Sequence, residues 1–164
     1  MKLYHGSYLD IECIDLRRSM RGKDFGQGFY LSADYQQAFD IAKIRCLGTN
    51  YTPCVNCYEF DESWVSSGSG LKVKRFDSYS LEWADFVLLN RQNKTDIPVH
   101  SYDIVMGPIA NDTVGRQIRL LLDGLIDKQT FLERLKFMKG ITFQYYFGTE
   151  KAIQYLTKIE SHVW

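Results

Sequence analysis

Phe25-Gly26-Gln27-Gly28-Phe29-Tyr30-Leu31-Ser32, read together with Leu3-Tyr4-His5-Gly6-Ser7, decides how this chain is organised. Each stretch is a short apolar strand pattern broken by glycine and carrying one polar ring. Glycine weakens a strand interior, because it brings no side chain to pack and loses much backbone entropy on folding. A chain keeps that weakness more readily at a site than in a plain core. Gly26 and Gly28 therefore mark either a bulge or bend, or a surface against which a flat ligand lies. The occurrence of both motifs in one chain favours the ligand surface.

Working outward, the pattern alternates short strands with amphipathic helices. Residues 2–5 and 28–32 read as strands leading into the motifs. Ala33-Asp34 opens a helix to about Cys46, with Ala38, Ile41, Ala42 and Arg45 at helical spacing. Thr52 to Phe60 reads as a strand, followed by a Ser/Gly loop from Ser63 to Gly70. Ser80 caps a helix over Leu81 to Asn90, whose stripe is Trp83, Phe86, Val87 and Asn90. Tyr102 to Ile109 is a strand stopped near Pro108. Asn111-Asp112 caps a helix to Leu122, with Gly124 at the position for a left-handed residue. Asp127 to Met138 forms another helix through Phe131, Leu132, Leu135 and Met138. Thr142 to Phe147 is a strand, and Thr149-Glu150 starts a last helix through Ile159. The expectation is an α+β fold with a partly antiparallel sheet, in one domain spanning 1–164.

Composition limits the function classes. Twenty basic and twenty acidic residues cancel, so no global field favours nucleic acid or an anionic membrane. The chain is 45% hydrophobic and 24% charged, as in ordinary soluble globules. Eleven tyrosines and ten phenylalanines suit both a core and flat heteroaromatic ligands. There is no run of about 18 apolar residues and no basic-then-apolar start. Neither a membrane span nor a signal peptide is expected, and a cytoplasmic setting follows. Cys54-Val55-Asn56-Cys57 has half the spacing of a zinc knuckle, but no second pair follows, so no metal is expected. No Gly-x-Gly-x-x-Gly is present, which gives no support to a hydride-transfer dehydrogenase.

The two glycine motifs resemble those of the ADP-ribosyltransferase superfamily, in its diphtheria-toxin-like and poly(ADP-ribose) polymerase branch. There the first motif reads His-Gly-Ser, matched by His5-Gly6-Ser7. The second reads Phe-Gly-x-Gly-aromatic/aliphatic-Tyr, matched by Phe25 to Tyr30. The chain is most similar to a bacterial family of uncharacterised domains grouped with that superfamily. That likeness runs through Tyr102 to Asp112, Asp123-Gly124-Leu125-Ile126, and Gln144 to Ala152. The resemblance implies a split, mainly antiparallel sheet with flanking helices. It also implies NAD as co-substrate, cleaved at the nicotinamide–ribose bond by a mono-ADP-ribosyltransferase.

In that reading His5 hydrogen-bonds the adenosine ribose, since imidazole both donates and accepts. Gly6, next to Ser7, offers its backbone to the nicotinamide carboxamide. Tyr30 stacks on the nicotinamide ring, with Phe25, Gly26 and Gly28 completing the wall. Arg18 or Arg21, from the cluster between the motifs, faces the pyrophosphate. The superfamily's late-strand glutamate falls on Gln144 here, which can hydrogen-bond a ribose hydroxyl but cannot take a proton. That departure counts against poly(ADP-ribose) elongation and leaves single transfer to a nucleophilic acceptor. Glu150 is the nearest spare carboxylate; Asp103 and Asp112 are others, Asp112 reading as a cap and Asp103 as facing the cleft.

The acceptor is a protein, a nucleic acid or a small molecule, with a local basic patch at Lys72, Lys74 and Arg75. Such domains are often toxins or defence effectors, which implies a small neutralising partner protein. An NAD glycohydrolase and a catalytically silent NAD- or ADP-ribose-binding module are the alternatives.

Overall fold

The computed structural model describes residues 1–66, 69–110, 112–136 and 141–164. Strand β1 (Lys2–Ser7) lies antiparallel to β3 (Cys54–Phe60), in register from Lys2 with Glu59 to Ser7 with Cys54. The far edge of β3 is covered by β7 (Leu156–Val163), antiparallel, with one irregularity between Cys57 and Tyr58. In the other half, β2 (Phe29–Ser32) pairs with β6 (Phe143–Phe147), and β6 with β5 (Ile104–Pro108), both antiparallel. The short β4 (Val73–Arg75) adds to β5 in parallel. The sheet order is β4-β5-β6-β2-β1-β3-β7. The expected α+β class with a mainly antiparallel sheet is what the chain adopts.

The two halves meet at one registered pair, Tyr4 with Ser32. On one face, α1 (Tyr35–Cys46) packs on β1 and β3 through Ala38, Ala42 and Val55. Asp34 caps it, accepting from the Gln36 and Gln37 amides. The same face of the other half carries α3 (Leu81–Gln92), α4 (Asp112–Leu122) and α5 (Lys128–Lys136). Trp83, Val87, Val114, Ile118, Phe131 and Leu135 pack there against Phe25, Val105 and Tyr146. The opposite face is one apolar layer across both halves, including Leu3, Phe29, Leu31, Tyr58, Met106 and Phe147.

Alternation along β6 explains the division: Tyr146 enters the helix-covered core, while Tyr145 and Phe147 join the layer beneath. Ser80 caps α3 as expected, and Gly124 after α4 has φ +69°. Met138 and Asn111, expected in the α5 stripe and at the α4 cap, lie outside the described residues, as does the Asp112 side chain.

Three expectations need correction. The last helix does not run to Ile159: α6 (Glu150–Ile153) is one turn capped by Thr149, and β7 follows. The open edge of β3 needs backbone partners, and Thr157, Ile159 and Val163 are β-branched residues suited to supply them. The Ser63–Gly70 loop begins with a helical turn, α2 (Ser63–Ser66). Asp103 does not face a cleft. Its carboxylate accepts from the Lys72 amide and from Thr149 Oγ1, each at 2.7 Å, tying the chain before β4 to the turn after β6.

That latch carries measurable stability. Asp103→Ala leaves two donors without their acceptor and should lower the unfolding free energy by about 2 kcal/mol in urea titrations. Asp103→Asn, which keeps one carbonyl acceptor, should recover part of the loss.

Candidate functional site

The seam between β1 and β2 collects most of the motif residues. Beyond Tyr4 and Ser32 no further residues of these strands are in register, and side chains bridge the gap. Arg45, on the last turn of α1, places Nη1 3.1 Å from His5 Nε2 and 2.8 Å from the Gly6 carbonyl oxygen. Guanidinium only donates, so His5 Nε2 accepts and Nδ1 carries the proton. Nδ1–H then donates to the Tyr30 carbonyl at 2.7 Å. His5 is 9% exposed, and its ring stacks on Phe29 at 4.4 Å. Burial first, and the Arg45 charge second, lower its pKa from 6.5 to about 4. His5 is therefore neutral at pH 7.

The strand period sends His5 and Tyr30 to opposite faces. His5 lies on the Phe29 side, whereas Tyr30 packs against the helix-covered core and meets Tyr146 edge-on at 5.3 Å. Tyr30 and Tyr146 are in register, as are Ser32 and Gln144. Since Ser32 also pairs with Tyr4, a strip of Gly6, Tyr30, Ser32 and Gln144 runs along one face. It lies between α1 on one side and α3 to α5 on the other.

The glycines have reasons inside the chain. A Cβ at Gly6 would overlap the Ala38 carbonyl and lie 2.8 Å from the Ala42 amide nitrogen, so glycine is what lets α1 sit on β1. A Cβ at Gly28 would strike the Tyr146 ring, and Gly26 has φ +96°. The loop they form is held by rings. Tyr30 Oη donates to the Gly26 carbonyl at 2.7 Å and accepts from the Phe25 amide at 3.0 Å. Tyr146 Oη donates to the Gln27 carbonyl at 3.1 Å. His100 Nδ1 accepts from the Tyr102 amide, so its Nε2–H donates to the Phe25 carbonyl at 2.8 Å. Burial raises the Tyr30 pKa well above its usual value and pushes Tyr146 up to about 12, so both phenols keep their protons.

Gln144 has a partner that the sequence reading missed. Its Nε2 donates to Asp24 Oδ2 at 3.0 Å. Asp24, 8% exposed, also accepts from the Ala110 amide and pairs with Arg91 at 2.6 Å. Asp24 precedes the glycine motif by one residue, but nothing in its spacing announced Arg91, which lies 67 residues away. Because a carboxylate only accepts, the Gln144 amide is fixed with Nε2 toward Asp24, leaving Oε1 as its acceptor for a ligand.

The remaining site residues spread out. Phe25 is fully buried, so its ring forms core and not ligand wall. Ser7 turns the chain, its Oγ accepting from the Leu9 amide at 3.2 Å. Arg18 is exposed in a 3-10 turn, and Arg21 is exposed and paired with Asp96. Glu150 is exposed in the first turn of α6. Cys54 and Cys57 sit in β3, buried, three residues apart and so on opposite sides of the sheet. In the basic patch, Lys74 pairs with Glu82 and Arg75 with Asp77.

Two surface concavities lie elsewhere. One of about 350 Å³ is lined by Asp34, Arg75, Met106 and Tyr145, and one of about 570 Å³ by Glu59, Trp64 and Tyr155. Neither is lined by His5, Gly6, Tyr30 or Gln144. The candidate site is placed at the seam, where the motif residues His5, Gly6 and Tyr30 come together.

The buried neutral histidine makes stability depend on pH with a definite sign. The unfolded chain protonates His5 near pH 6.5 and the folded chain only near pH 4. Between these values the unfolded state binds the extra proton, so stability is intact above pH 6.5 and falls as pH drops toward 4. Urea titrations across that window should show a loss of about 3 kcal/mol from His5, and His100, whose pKa burial also lowers, acts in the same direction. In His5→Gln the slope should flatten.

A search of curated proteins finds no match to this chain. The family model described as protein of unknown function (DUF3990) matches residues 1–157, and the chain belongs to that family.

Proposed function

We propose that the protein is an NAD-dependent mono-ADP-ribosyltransferase working at the β1–β2 seam. The observation that carries the reading is the strip of Gly6, Tyr30, Ser32 and Gln144 along one face, beside a ladder that opens. A flat ring laid against Tyr30 finds the Gly6 carbonyl as acceptor for a carboxamide N–H. The ribose beyond it meets Gln144 Oε1, whose direction Asp24 fixes. In the reaction the C1′–N1 bond breaks and its electron pair returns to the nicotinamide nitrogen. Neutral nicotinamide leaves, and the acceptor's lone pair attacks C1′, releasing its proton to water. Gln144 Oε1 stabilises the developing oxocarbenium charge, and Asp24 polarises the amide behind it.

The acceptor is a protein, a nucleic acid or a small molecule that is already nucleophilic, because Gln144 cannot serve as a base. The cytoplasmic setting and a role as a toxin-like effector with a neutralising partner belong to the same proposal. A second reading is a module that binds NAD or ADP-ribose without turnover. It is favoured by the amide at Gln144 and by the commitment of both His5 nitrogens within the chain.

Nicotinamide release from NAD, with and without a cell lysate, tests these readings. Transfer requires labelled ADP-ribose to appear on an acceptor, hydrolysis gives free ADP-ribose alone, and the silent module releases no nicotinamide. Gln144→Ala should lower kcat about tenfold or more with a smaller change in KM, since its contact grows in the transition state. Gln144→Glu sets a second carboxylate beside Asp24, so its protons are shared and its rate should rise with pH. A Gln144→Ala variant with parental kcat would remove this residue from the reaction.

A further inference from the structure

Four arginines sit against carboxylates, and Arg45 is not among them. Arg17 pairs with Asp15, Arg21 with Asp96, Arg75 with Asp77 and Arg91 with Asp24. Arg45 makes no ion pair among the described residues, and both contacts of its Nη1 are to neutral acceptors, His5 Nε2 and the Gly6 carbonyl. The residue as a whole is exposed, yet the atoms packed around its guanidinium desolvate it and lower its pKa. A partly desolvated cation whose observed contacts are both neutral suits an anion.

An aromatic platform adjoins it. Tyr8 lies two residues past Gly6, whose carbonyl Arg45 holds. Its ring stacks on Tyr51 with centroids 4.6 Å apart and planes 23° apart. The two are 40% and 58% exposed. An exposed pair of stacked phenols offers a face and an edge to a planar base.

We propose that Arg45, with the Tyr8–Tyr51 pair, binds the adenosine diphosphate half of the dinucleotide: guanidinium on the diphosphate, phenol against the base. This rests on the NAD reading above and extends it. It assigns the phosphate contact to α1 and not to Arg18 or Arg21. It also links binding to the rest of the site. When the guanidinium turns to a diphosphate, it releases the His5 Nε2 lone pair and the Gly6 carbonyl. The Gly6 carbonyl then accepts from the carboxamide, so the diphosphate uncovers a group that holds the remainder of the ligand.

Titration calorimetry with ADP and with inorganic pyrophosphate tests the assignment in the full chain. Arg45→Gln should weaken both ligands about tenfold or more, as expected for a lost charge-assisted contact. Tyr8→Ala should weaken ADP while leaving pyrophosphate unchanged. Circular dichroism checks that both variants fold, and both positions are exposed. Parental affinity of Arg45→Gln for both ligands overturns the proposal, as does a wild-type protein that binds neither. Nicotinamide release separates its fate from that of the transferase reading. Wild-type protein that binds ADP through Arg45 but releases no nicotinamide supports the subsite and removes the enzyme. Release by Arg45→Gln with an unchanged KM for NAD overturns the subsite and leaves the enzyme.

Discussion

One opened ladder organises this molecule. Antiparallel neighbours ordinarily satisfy their amides and carbonyls against each other, and buried backbone groups left over are costly. Between β1 and β2 a single pair is in register, so carbonyls along the seam look to side chains. His5 serves the Tyr30 carbonyl and Arg45 serves the Gly6 carbonyl. Each provision constrains something else. His5 must hold its proton on Nδ1 and stay neutral, because Arg45 donates to its other nitrogen. Arg45 reaches the seam only because α1 lies close on β1, and α1 lies close only because residue 6 has no side chain.

The glycine loop before β2 follows the same economy of side chains standing in for ladder bonds. Three successive carbonyls, of Phe25, Gly26 and Gln27, accept from His100, Tyr30 and Tyr146. These donors come from β2 itself, from β6 and from the chain before β5, so the loop is fixed by elements distant in sequence. A hydroxyl or imidazole buried this way must find a partner, and a loop rich in glycine exposes the carbonyls that supply it. Two of the chain's tyrosines are thus used to hold the loop, while most of the buried rings build the apolar core.

That distribution explains which features could be read from the chain. The motif strands, the Asp34 and Ser80 caps, the Gly124 turn and the face shared by Gln144 and Tyr146 depend on local spacing, and local spacing is visible. The helix expected through Ile159 was misread because Thr149 does start a helix; what ends it is the uncovered edge of β3, a fact about residues a hundred positions earlier. Asp103 looked like a cleft residue because its two partners, at Lys72 and Thr149, lie on either side at long range. Gly26 and Gly28 announced a close approach correctly in kind. The body that approaches Gly28 is the ring of Tyr146, from the chain itself.

Asp24 and Gln144 are best understood as one feature. A glutamate at position 144 would set two carboxylates against one arginine, Arg91, in a half-buried pocket and leave a net negative charge there. Glutamine keeps the cluster neutral while donating to Asp24, and the pairing orients its amide more firmly than solvent would. The negative charge that a glutamate would bring to position 144 is thus present one hydrogen bond further back, on Asp24, where Arg91 and the Ala110 amide compensate it. A carboxylate acting through an amide exerts a weaker field than one in contact, and it cannot accept a proton from an attacking group. Under the proposed reading, such a cluster suits the departure of a leaving group that needs no protonation, as a positively charged nicotinamide ring is.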